Sequence, residues 1–240
     1  MPTVSEHIVK SFDDHLNRIN DLVIRMGGLA EAQVAGAFDA MTRRDTALAS
    51  RVIQGDDQID ELEHELEQIS VALLALRQPM ANDLRRVVAA FKISSDLERI
   101  GDYAANAAKR VILLEGFEWE GSVQALPRMA QQVRIILHDA LDAYVTSDAE
   151  KSLEVWRRDA KIDELYGALF QELLDQMKQD PSSINACTHL LFIAKNIERI
   201  GDHATNIAES VHYLVTGRYM EGARPRGVDP ALQATIAGEA

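Results

Sequence analysis

The 240 residues hold 25 Lys and Arg against 38 Asp and Glu, a formal net charge of −13. That balance argues against nucleic acid, whose binding needs basic side chains to displace counterions, and against an anionic membrane surface; metal cations and basic protein patches suit it better. With 47% hydrophobic residues, 5% aromatics and a single cysteine, Cys187, the chain fits packed helices and excludes an intrachain disulfide or a cysteine-rich zinc site.

From about Val4 to Thr42, Ile8, Phe12, Ile19, Leu22, Leu29, Val34, Phe38 and Met41 recur at helical spacing. Glu6, Lys10, Asp13 and Asp14 make the start too polar for a signal peptide. The longest uncharged run, Pro181 to Ala194, is shorter than the ~20 residues that span a bilayer, so no membrane insertion and a cytoplasmic location are expected.

Asp45 reads as the cap of the next helix, whose ladder Val52, Ile59, Leu66 and Leu73, backed by Leu62, Ile69 and Leu76, predicts antiparallel bundle packing. Pro79 ends it. A third helix is expected over about 81–114, with the seam Ile93, Leu97, Ile100, Ala104, Ala107, Val111 and Leu114. Residues 116–127 read as a linker.

Then the plan repeats. Asp56-x-x-Ile59-Asp60-Glu61-Leu62 returns 103 positions later as Asp159-x-x-Ile162-Asp163-Glu164-Leu165, and Asp45 returns as Asp148. Asp96-Leu-Glu-Arg-Ile-Gly-Asp102 returns 100 positions later as Asn196-Ile-Glu-Arg-Ile-Gly-Asp202. Helices over about 128–146, 148–179 and 183–216 complete a second triplet. The expectation is all-α: tandem three-helix bundles over 4–115 and 128–216, related by a pseudo-two-fold axis that buries their seams together. From 217 to 240 no periodic apolar face remains, and a disordered tail is expected.

Glu98, Asp102 and Asn106 stand at i, i+4, i+8 on one helix face, as do Glu198, Asp202 and Asn206. Gly101 and Gly201 sit mid-helix beside them, at about 1 kcal/mol relative to alanine, which points to close approach of a backbone or ligand. If the second and third helices of each repeat run antiparallel, Asp56 and Asp60 meet Glu98 and Asp102, and Asp159 and Asp163 meet Glu198 and Asp202. Four carboxylates so placed repel one another, and a bound cation resolves the conflict. Oxygen donors favour Mg²⁺, Ca²⁺, Mn²⁺ or iron, and carboxylates also take zinc. One acidic pair alone is ordinarily a solvated helix face; recurrence in register with a glycine turns the balance toward ligation. The E-x-x-H of Glu61-Leu-Glu-His64 has Gly167 in place of the second histidine, which rules out a symmetric di-iron oxidase site. His203, opposite Tyr103, reads as local packing, and no nucleophile with a base at recognisable spacing occurs.

The doubled Leu/Ile-Glu-Arg-Ile-Gly-Asp, the paired Asp-x-x-x-Asp and the turn Pro79-x-x-x-Asp83-Leu-Arg85 resemble the PhoU family over roughly residues 5 to 215. The resemblance implies a non-enzymatic, homodimeric accessory of the high-affinity phosphate ABC transporter. Its implied partners are the transporter's ATPase subunit and a PhoR-type sensor histidine kinase, and it restrains uptake and the phosphate-starvation response. It further implies Mg, Mn, Fe or Zn at Asp56, Asp60, Glu98, Asp102, Asp159, Asp163, Glu198 and Asp202, flanked by Asn106 and Asn206. Two departures, Asn196 for Asp96 and the missing Asp-Leu-Arg after Pro181, imply weaker binding in the second half. The alternative is a carboxylate-bridged, metal-dependent phosphohydrolase; a passive helical spacer is a third possibility.

Overall fold

The apolar seams of the sequence become helices that share one core. The computed structural model describes residues 4–77, 79–117, 125–222 and 224, with side chains from residue 12 apart from that of Arg77. The first repeat contains α1 (Val4–Arg43), α2 (Thr46–Gln54), α3 (Asp57–Arg77) and α4 (Asn82–Leu113). The second contains α5 (Ala125–Thr146), α6 (Ala149–Gln179) and α7 (Ile184–Thr216), the last preceded by a 3₁₀ turn at Pro181–Ser183. No strand occurs among the described residues.

The same local chemistry builds both first turns. Arg44 and Ser147 end their helices in the left-handed region, each with φ of 54°. The following aspartates then cap the next helix: Asp45 accepts from the Leu48 N–H at 2.8 Å and Asp148 from the Lys151 N–H at 3.0 Å.

The second element of each repeat shows the first difference. One helix is expected from Asp45 to Pro79, but the chain breaks between α2 and α3 at Gly55, whose N–H bonds to the Arg51 and Val52 carbonyls. The second repeat has Arg158 at that place and α6 runs through unbroken. Glycine weakens the helix, and the acidic Asp57 and Asp60 suit a fresh N-terminus, where the dipole favours negative charge. Helix α5 begins at Ala125, three residues ahead of the expected 128 and inside the expected linker; residues 118–124 of that linker lie outside the described residues.

Helices α4 and α7 pack on each other at the centre, with α1, α2 and α3 against α4 and with α5 and α6 against α7. Ile93, Leu97, Ile100 and Ala104 are fully buried there, and so are Ile193, Ile197, Ile200 and Ala204. Each large apolar side chain so buried contributes about 1.5–3 kcal/mol. Of the expected disordered tail, Gly217–Gly222 and Arg224 are described and fold back along α7, while Ala223 and residues 225–240 lie outside the described residues.

Candidate metal centre

The two acidic motifs are brought together by the glycines between them. A Cβ on Gly101 would stand 2.9 Å from Ile59 Cδ1 and 3.0 Å from Asp56 Oδ1; one on Gly201 would stand 2.6 Å from Ile162 Cδ1. The mid-helix glycines therefore serve the close approach of a neighbouring isoleucine, the same one in both repeats. Ile59 and Ile162 are buried in return.

In the first repeat, Asp56 sits in the turn before α3 and Asp60 on its first turn, facing Glu98 and Asp102 on α4. Burial, then the charges of Asp102 and Asp60, push the Asp56 carboxyl up to about 6. Burial and Asp102 push Glu98 up to about 7, against the opposing pull of Arg99. Asp60 is raised as well, by burial and by the charges of Asp102 and Asp57. The nearby cations are peripheral. Arg99 reaches Glu98 Oε2 at 3.3 Å and Asp102 Oδ2 at 3.2 Å, but more than half of its side chain is exposed and the attraction is screened. Lys109 Nζ donates to Asn106 Oδ1 at 3.2 Å, also in an exposed setting.

Among the described residues, no three Asp, Glu, His or Cys side chains stand gathered tightly enough to hold one ion. The donor chemistry nonetheless fits a hard cation: oxygen ligands only, mutually repelling, part-buried and under-neutralised.

The second cluster is composed differently. Arg224, from beyond the end of α7, donates through Nε to Asp159 Oδ2 at 2.7 Å and through Nη2 to Asp159 Oδ1 at 2.7 Å. The same Nη2 reaches Asp202 Oδ1 at 2.8 Å, and Nη1 donates to Asn206 Oδ1 at 3.1 Å. Thr205 Oγ1 adds a third donor to Asp159 at 3.0 Å, so this carboxylate is buried and well satisfied. Lys195 Nζ holds Glu198 at 2.8 Å, while burial still raises that carboxyl. Asp163 adds to the negative field on Glu198.

A hydrogen-bonded link joins the halves. Asp96 Oδ1 on α4 lies 2.8 Å from His203 Nδ1 and accepts from Asn206 Nδ2 at 3.2 Å, both on α7. His203 is thus a polar partner of Asp96 across the repeats rather than local packing alone, and its ring also lies 5.5 Å from that of Tyr103. The repeat counterparts of Asp96 and His203 are Asn196 and Tyr103, so the second copy of this pair lacks both the acid and the histidine.

Sequence reasoning missed Arg224. A signal did exist: where the first repeat carries Ala105 and Lys109, the second carries Thr205 and Glu209. At that place the second cluster has an acid where the first has a cation; Lys195 of α7 serves Glu198, while Asp159 and Asp202 take their cation from the tail.

Fold and site together define the class: an all-α protein of two helical repeats, four helices in the first and three in the second, with an acidic cluster where α3 meets α4 and another where α6 meets α7. The sequence matches the PhoU domain twice, over residues 23–111 and 126–211. It is 50% identical over 224 residues, 93% of this chain and 97% of the relative, to the phosphate-specific transport system accessory protein PhoU homolog of Caulobacter vibrioides. The homolog from Rhizobium meliloti is 43% identical, covering 92% of this chain and 93% of that protein. The crystal structure of PhoU from Pseudomonas aeruginosa superposes with a TM-score of 0.84 at 38% identity, covering 86% of this chain and all of that one. The phosphate transport system regulatory protein PhoU from Streptococcus pneumoniae gives 0.81 at 31% identity, over 88% of this chain and all of that one. The chain belongs to the PhoU family. These relatives bear the names of accessory and regulatory proteins rather than of enzymes.

Proposed function

We propose that the chain is the accessory regulator of a phosphate-specific ABC transporter, acting in the cytoplasm without catalysing a reaction. It docks the transporter's ATPase subunit and a PhoR-type sensor histidine kinase, as a homodimer, and holds uptake and phosphate-starvation signalling down when phosphate is plentiful. The observation that carries this is similarity along nearly the full length of both chains: 50% identity covering 93% of this protein and 97% of a PhoU homolog. Exposed apolar side chains about the turn between α3 and α4, Leu76 and Met80 largely so and Leu84 in part, supply a surface suited to a protein partner. No helix of the described residues is long and apolar enough to cross a membrane.

In this reading Asp56, Asp60, Glu98 and Asp102, with Asn106 beside them, hold Mg, Mn, Fe or Zn in the first repeat. A cation held there would neutralise a repelling cluster and so tie α3 to α4, with the half-exposed Arg99 at its solvent side.

The experiment is complementation of a strain lacking the protein, read with a phosphate-starvation reporter. The intact chain should restore repression in high phosphate, Glu98→Gln with Asp102→Asn should restore it poorly, and the purified protein should show no Mn²⁺-dependent phosphatase turnover. Full repression in the strain without the protein would overturn the proposal, and turnover would favour the phosphohydrolase.

A further inference from the structure

We infer that the second-repeat acidic cluster is an internal arginine site: Arg224 is its resident cation, latching the tail onto α6 and α7 and closing that cluster to metal ions. The guanidinium takes both oxygens of Asp159, one of Asp202 and the carbonyl of Asn206, leaving only 12% of its side chain exposed. Those are three of the five positions that the sequence pattern assigns to a metal in this repeat. A metal entering there would have to expel a bidentate, charge-assisted pair from a buried carboxylate, and guanidinium is the cation least costly to keep in that setting.

The path of the tail supports a latch rather than a passing contact. Gly217, with φ of 71°, turns the chain at the end of α7. Tyr219 then stacks on Tyr213 with ring centroids 4.7 Å apart and planes 14° from parallel, and Lys92 lies 5.9 Å above the Tyr219 ring. Arg224 lands still further back along α7, at Asn206 and Asp202. The tail thus runs antiparallel to α7 with two anchors, one aromatic and one ionic.

The repeats explain why only one cluster is filled this way. Lys109 stands beside Asp56 and Asn106 in the first, while Glu209 stands at the matching place in the second. Glu209 adds to the field that holds Arg224 charged, alongside Asp159 and Asp202. With Glu209 where the first repeat has Lys109, the carboxylates Asp159 and Asp202 take their counter-charge from the tail. The proposal does not need metal in the first repeat, because that reading is tested on Glu98→Gln and this one on Arg224→Met.

The test compares the full chain with Arg224→Met, which keeps the apolar stem and removes the charge. Two readouts are used: trypsin cleavage after Arg218, followed by mass spectrometry, and Mn²⁺ binding by electron paramagnetic resonance. Arg224→Met should speed cleavage after Arg218 by about tenfold, because cleavage follows the open population of the tail. It should also bind at least one more Mn²⁺ than the unaltered chain, and Asp202→Asn added to it should abolish that gain. Asp202→Asn in the otherwise unaltered chain should leave Mn²⁺ binding as it was. Unchanged cleavage, no added Mn²⁺ in Arg224→Met, or loss of Mn²⁺ on Asp202→Asn alone would each overturn the inference.

Discussion

Replacing Asp102 by asparagine removes one charge from the first-repeat cluster while keeping the size of the side chain. Asp102 is the leading charged contributor to the raised pKa values of Asp56, Asp60 and Glu98. Both Asp56, pushed up to about 6, and Glu98, pushed up to about 7, hold a proton more tightly folded than unfolded. Folding therefore takes up protons between about pH 4 and 7, and stability falls as pH rises through that window. If the two groups were fully buried and independent, their displacements would be worth about 6 kcal/mol. They are part-exposed and mutually coupled, and burial rather than Asp102 is the larger cause, so relief on removing Asp102 comes to about 1 kcal/mol. Against this stands the lost contact of Arg99 with Asp102 at 3.2 Å, an exposed pair worth a few tenths of a kcal/mol. Repulsion wins. In chelator, urea unfolding followed by circular dichroism should show Asp102→Asn more stable than the unaltered chain at about pH 7.5, with the gain vanishing near pH 4. A loss of stability at the higher pH, or a gain independent of pH, would refute the idea that these carboxylates oppose one another.

Gly201→Ala places a methyl 2.6 Å from the buried Ile162 Cδ1, so crowding should outweigh the gain in helix propensity and destabilise by about 1–2 kcal/mol; adding Ile162→Val should recover most of it. Differential scanning calorimetry of the cycle would show this as coupling between the two changes. Asp96→Ala strips a partner from both His203 and Asn206 and should cost about 1–3 kcal/mol in urea unfolding, whereas Asn196→Ala should cost less. Asp45→Ala and Asp148→Ala each remove an N-cap and should each lower stability by about 1 kcal/mol, to a similar extent.

Short-range pattern carried much of the fold into view. The caps Asp45 and Asp148, the seams on α4 and α7, and the glycines at 101 and 201 are local rules repeated twice, and repetition separates signal from accident. The break at Gly55 was harder to foresee, because the heptad ladder continues across it and only comparison with Arg158 exposes the weak point. The composition of the site was half legible. Spacing identifies which carboxylates share a face, but it says nothing of what reaches them from a distance. Arg224 lies 65 residues from Asp159 in the chain, and Asp96 meets Asn206 across 110. Such pairs depend on how the repeats dock, and a Pro- and Gly-containing tail with no apolar period conceals a single anchoring side chain.

The central claim is that twin acidic clusters, equal in sequence pattern, have unlike occupants. Anomalous diffraction from crystals of the full chain soaked in Mn²⁺ tests it most directly. The account predicts a peak among Asp60, Glu98 and Asp102, and the guanidinium of Arg224 still seated on Asp159 and Asp202. A peak between Asp159 and Asp202 with Arg224 displaced, or no peak beside Glu98, would contradict it.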